Sequence, residues 1–124
     1  MKITRFIILS LVTVLLLAAC VPAAAPTGTP VKIGSKDITE ELLLGEMYAQ
    51  ILEANGIAVE RRLNLAGTQV AHEALLKGEI DLYPEYTGTG YLFILGIDDN
   101  EKDPAAVYDK TATEYKSKWN LVWL

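Results

Sequence analysis

One cysteine and one histidine bound the chemistry open to this chain of 124 residues. His72 has no cysteine and no second histidine near it, so it offers no set of metal ligands. Cys20, being alone, excludes an internal disulfide and any multi-cysteine metal site. Asp81 and Glu85 are carboxylates four residues apart, a pair that could in principle serve as acid and base on a glycoside. Pro84 lies between them and keeps them off one helix face. An enzyme would need a nucleophile beside a base, or a metal cluster. Neither is evident, so the chain is expected not to be an enzyme. The remaining candidates are residues that could hold a ligand: Lys36, Thr68, Tyr86 and Thr89; Tyr83 could add a second ring, but it points differently from Tyr86 if the strand ends between them, and it is set aside. Each also has an ordinary explanation. Lys36 reads as a solvated lysine after a strand, and Tyr86 as a packing tyrosine at a strand end. Thr68 reads as a helix cap, and Thr89 as a turn former.

The elements that would position these residues alternate between strand and helix. Val31-Lys32-Ile33-Gly34 reads as a first strand. Asp37 can cap the next helix with Glu40 as its capping-box partner. Ile38, Leu42, Met47, Tyr48, Ile51 and Leu52 then fall near helical spacing, and Asn55-Gly56 ends the helix. Ile57, Val59, Leu63 and Leu65 alternate with polar or small residues, which is the period of a strand. Gly67-Thr68 opens a second helix that carries Val70, Ala71, Ala74 and Leu75 and closes at Lys77-Gly78. Ile80 to Tyr83 reads as a third strand, stopped by Pro84. Tyr91 to Leu95 is short enough for either helix or strand. Asp103-Pro104 then places a cap and a first-turn proline in order. Tyr108, Ala112, Tyr115 and Trp119 share one face of the helix that follows, where core packing is their expected role, as it is for Tyr48. Leu121 to Leu124 is expected to be a strand. Alternation of this kind implies an α/β fold with a mainly parallel sheet flanked by helices. Ligands in such sheets bind at the carboxyl ends of the strands. Those ends are Gly34-Ser35-Lys36, Ala66-Gly67-Thr68 and Tyr83 to Thr89, where polar residues and glycines concentrate.

The N-terminus has another character. Lys2 and Arg5 precede a 14-residue run, Phe6 to Ala19, that only Ser10 and Thr13 interrupt. That is short of the ~20 residues a membrane-spanning helix needs, and it has the form of a signal peptide. Leu17-Ala18-Ala19-Cys20 resembles the bacterial lipobox, in which the cysteine thiol receives a diacylglyceryl group and the leader is cut off in front of it. Residues 1–19 are therefore expected to be a lipoprotein signal peptide. Residues 20–30, with three prolines and otherwise small residues, are expected to be the lipidated Cys20 and a flexible tether. Removing the leader's two basic residues takes the formal net charge from −5 to −7. That balance argues against nucleic acid as a partner, because phosphate binding needs clustered positive charge.

Three segments carry a more specific signal: the lipobox, GSKDITEELLLGEMYAQILEANGI at Gly34 to Ile57, and LNLAGTQVAHEALLKGEIDLYPEYTGTGY at Leu63 to Tyr91. Together they resemble the substrate-binding proteins of osmoprotectant ABC transporters, of the ProX/OpuC type that takes glycine betaine, choline and carnitine. The most specific pieces are EIDLYPEYTGT at Glu79 to Thr89 and GSK at Gly34 to Lys36. The resemblance implies the type II periplasmic-binding-protein fold, with 31–124 as a truncated first lobe. It also implies an ABC permease with its ATPase as partners, and no cofactor or metal. The chain would sit on the extracytoplasmic side of the cell membrane. A quaternary ammonium cannot donate a hydrogen bond, so aromatic faces hold it by cation–π attraction. The resemblance makes Tyr86 such a wall, pairs Lys36 with a ligand carboxylate and has Thr89 donate to that carboxylate. It gives Gly88 and Gly90 the task of letting backbone approach the ligand. The alternative is a non-transport lipoprotein that uses the same lobe for sensing or protein contacts.

Overall fold

The structure is a computed structural model that describes residues 28–124. The leader, Cys20 and most of the tether lie outside the described residues. Strand β1 (Val31–Lys36) pairs in parallel with β2 (Val59–Leu65), from Val31 opposite Val59 to Lys36 opposite Leu65. Parallel strands need a crossover, and helix α1 (Thr39–Ala54) supplies it. The register slips by one residue between Gly34 and Lys36. Asn64 takes up the slip at φ 67°. Its amide, left out of the ladder as bulges leave one, donates to Ser35 Oγ at 3.1 Å.

The third strand shrinks to a single parallel bridge, Leu82 to Ile33, on the other side of β1. Gly34 N donates to Leu82 O at 2.8 Å and Asp81 N to Lys32 O at 2.7 Å. The ladder stops there for two reasons. Lys32 N–H is taken by the Asp81 side chain at 2.7 Å, and Pro84 has no N–H to continue with. The chain still runs where the expected strand would, with β1 in the middle, so three strand ends share one edge.

Helix α1 departs from its expected packing. Neither Asp37 nor Glu40 caps it: Ile38 is the N-cap residue and makes no side-chain cap bond. Glu41 instead reaches back beyond the cap to accept from Lys36 N at 3.1 Å. The buried face is Glu41, Gly45 and Ala49, while Ile38, Met47, Tyr48 and Ile51 of the expected apolar stripe are exposed. Small residues win the inward face because the helix rides close on the sheet. A Cβ on Gly45 would meet Leu63 Cδ2 at 2.8 Å. The end of α1 at Asn55, with Gly56 at φ 77°, follows the sequence reading.

Helix α2 (Gly67–Leu76) starts after Ala66, and Thr68 lies inside its first turn rather than capping it. Tyr86 precedes a helical turn, α3 (Thr87–Thr89), which widens into a π turn over Gly90–Ile94. Helix α4 (Pro104–Trp119) has the expected start, with Asp103 accepting from Ala106 N at 3.0 Å. Leu121 to Leu124 forms no strand. Asn120 closes α4 at φ 58° and turns the chain back, so that Trp123 packs edge-on to Tyr115 with ring centroids 5.3 Å apart. His72, Tyr115 and Trp119 stack edge to face in the core at 4.6–5.4 Å. That is the packing role expected of the α4 face. Tyr48 does not share it. Among the described residues no helix is long and apolar enough to cross a membrane.

Candidate ligand site at the carboxyl edge of the sheet

The three strand ends meet at the ammonium of Lys36. β1 delivers Lys36, the turn after β2 delivers Thr68, and the segment after the Leu82 bridge delivers Glu85. Lys36 Nζ lies 2.7 Å from Glu41 Oε1 and 2.6 Å from Glu85 Oε1, and 3.4 Å from Thr68 Oγ1. An ammonium has three donors, and three acceptors surround this one. The side chains of Lys36, Glu41 and Glu85 are 7%, 0% and 5% exposed, so this is a buried trio and not the solvated lysine the residue suggests by itself. Burial pushes the Lys36 pKa down, and hydrogen bonds to Glu41 and Glu85 more than offset it, leaving the group above its ordinary 10.5. One ammonium between two carboxylates gives the trio a formal charge of −1 when all three are ionised.

Tyr86 stands at the rim. Lys36 Nζ is 5.4 Å from its ring centroid, the residue is 41% exposed, and its amide donates to Glu85 Oε1 at 2.8 Å. The Glu40 carboxylate beside its hydroxyl pushes the Tyr86 pKa up to about 12. Thr89 follows one turn later in α3, half-buried. The structure thus brings Lys36 and Tyr86 together and puts Thr89 on the turn that Tyr86 begins. It also adds Glu41, which the sequence reading did not single out, and Glu85 and Thr68, which that reading assigned elsewhere. Asp81 and Glu85 stay apart as expected, the first bonded to Lys32 and the second to Lys36. Gly90 has a task other than ligand approach: a Cβ there would meet Trp123 Cζ2 at 2.8 Å and Tyr115 OH at 3.1 Å.

Glu85 also borders an open hollow of about 620 Å³, walled by Tyr48, Leu82, Tyr83, Tyr115 and Trp123. Lys36, Tyr86 and Thr89 do not line it. Tyr83, whose hydroxyl is buried without a hydrogen-bond partner, faces that hollow. Burial raises its pKa well above the ordinary tyrosine value. Among the described residues no group of three or more histidine, cysteine or acidic side chains could hold a metal ion.

A parallel sheet with polar loops gathered at its carboxyl edge, flanked by helices, and an aromatic ring beside a buried charge there, defines an α/β ligand-binding lobe of the periplasmic-binding-protein kind. Residues 29–124 match the family described as the substrate binding domain of ABC-type glycine betaine transport systems, and the chain belongs to that family. It is 38% identical over 111 residues to the glycine betaine-binding protein YehZ of Escherichia coli K12, covering 89% of this chain and 36% of that protein. It is 31% identical over 105 residues to the ergothioneine transport permease/ergothioneine binding protein EgtU of Helicobacter pylori, covering 84% of this chain and 18% of EgtU. With the carnitine transport binding protein OpuCC of Listeria monocytogenes it is 32% identical over 124 residues, covering 94% of this chain and 40% of OpuCC. The solved structure of apo YehZ superposes with a TM-score of 0.71, covering 78% of this chain and 35% of YehZ. The chain therefore spans well under half the length of the relatives it matches.

Proposed function

We propose that this chain is part of the extracytoplasmic, lipid-anchored solute-binding component of an ABC importer for quaternary-ammonium osmoprotectants such as glycine betaine or choline. The observation that carries the reading is the Tyr86 ring, open to solvent on the sheet's carboxyl edge with the Lys36 ammonium 5.4 Å from its centroid, in a chain of this family. Tyr86 offers a face to the ligand cation. Thr89 offers a hydroxyl to the ligand's polar end. Lys36 offers charge to a ligand carboxylate, which can reach the ammonium only by displacing one of its present acceptors, and Thr68 Oγ1 is the most distant of them. An ABC permease with its ATPase would receive the solute, and Cys20 would carry the lipid that holds the protein at the membrane.

Calorimetric titration of the full-length protein that carries this chain tests the site. Tyr86→Ala should weaken choline or glycine betaine binding by about 3- to 30-fold, the range for a cation over an aromatic face. Tyr86→Phe should bind nearly as the parent does, because the ring face is kept. Parent-like binding by Tyr86→Ala would place the cage elsewhere. The anchor has its own test: Cys20→Ser should leave an unprocessed or soluble protein. Membrane fractionation and processing identical to the parent would remove the lipid from the proposal.

A further inference from the structure

Lys36 and its neighbours have a consequence for which ligand the site accepts, on the reading that it takes quaternary ammonium ions. The Lys36 ammonium donates to Glu85 Oε1 and Thr68 Oγ1 at 2.6 and 3.4 Å and is ion-paired with Glu41 Oε1 at 2.7 Å. A ligand carboxylate arriving here meets an ammonium whose charge is already shared between two buried carboxylates. The second oxygen of Glu85, Oε2, is buried without a hydrogen-bond partner, so no donor within the described residues neutralises it. Glu40 stands at the Tyr86 hydroxyl, which makes three carboxylates to one ammonium around the ring. A cation lowers its energy in such a field, and an anion raises it.

We propose that Glu85 and Glu41 make this half of the site select by charge, favouring a quaternary ammonium without a carboxylate over a zwitterionic betaine. Glu85 is the specificity determinant, because it is bonded to Lys36 and also abuts Tyr86 through the Tyr86 amide. Glu41 is a positioning residue, fully buried and bonded to the Lys36 backbone. Thr68 is the one uncharged hydrogen-bond partner of the Lys36 ammonium, so it can be released without changing any charge.

The experiment titrates the full-length protein with choline and with glycine betaine, in the parent, Glu85→Gln and Thr68→Val, with circular dichroism to confirm folding. The parent should bind choline more tightly. Glu85→Gln should shift the ratio toward glycine betaine by about tenfold, the effect of one unit charge at about 10 Å where the effective dielectric constant is about 20. Thr68→Val frees a Lys36 proton and should strengthen glycine betaine binding while leaving choline unchanged. A parent that binds choline more tightly, together with a shift toward glycine betaine in either folded variant, upholds the inference. A parent that binds glycine betaine as tightly as choline overturns it, as does a ratio unchanged in both variants, and in both cases the quaternary-ammonium reading stands. A parent that binds neither ligand refutes that reading, and this inference falls with it.

Discussion

Replacing Lys36 with methionine removes the ammonium and keeps most of the side-chain volume. Glu41 and Glu85 then remain, 0% and 5% exposed, with no cation between them. The charge-assisted hydrogen bond to Glu85 at 2.6 Å and the ion pair with Glu41 at 2.7 Å are both lost. Breaking a buried ion pair by deleting one partner costs about 3–5 kcal/mol. Lys36→Met should therefore lower the unfolding free energy at pH 7 by about 4 kcal/mol, read by urea denaturation followed by circular dichroism. The double variant with Glu85→Gln should be less destabilised than the sum of the singles, because only one carboxylate is then left unpaired. In the parent, the Lys36 contribution has a definite pH window. Its folded pKa lies above 10.5, so the stabilisation is fully present below that value and is lost as pH rises through the folded pKa. A midpoint for Lys36→Met equal to that of the same change at exposed Lys77 would refute the argument, because it would mean that the trio contributes no more than a surface pair.

Two further outcomes follow from the core. Burial lowers the His72 pKa below 6.5, against weaker upward pulls from Glu85 and Glu73, and neither ring nitrogen has a hydrogen-bond partner. The unfolded chain therefore takes up the proton first, and stability present above pH 6.5 is lost as pH falls through the folded value. Melting curves across pH 5 to 8 should show this slope in the parent and a smaller one in His72→Phe; equal slopes would put the acid sensitivity elsewhere. Gly34→Ala places a methyl 2.6 Å from Ile80 Cδ1 in the core. It should cost about 1–3 kcal/mol, and Ile80→Val in that background should recover part of the loss by deleting the atom the methyl meets. A Gly34→Ala protein as stable as the parent, measured in urea, would show that Ile80 has room to move.

Local signals in the sequence determined most of the elements. Asp103-Pro104 starts α4 and Asn55-Gly56 ends α1, because caps and turns depend on residues adjacent in the chain. The β-α-β-α alternation implied a parallel sheet, and with it the edge where Lys36 and Tyr86 sit. Which face of α1 turns inward was decided only by tertiary structure. Its apolar stripe pointed to Met47 and Ile51, but close approach to β2 selects Gly45 and Ala49, a constraint set by distance across the fold. The end of the chain went the same way. Leu121 to Trp123 has the composition of a strand, yet the left-handed turn at Asn120 and the stacking of Trp123 on Tyr115 fold it back. The state of Lys36 was equally hidden. A lysine after a strand reads as solvated, and its three partners lie 5, 32 and 49 residues away. The charge balance around that ammonium is a sum over residues that only the folded chain brings within 3.4 Å.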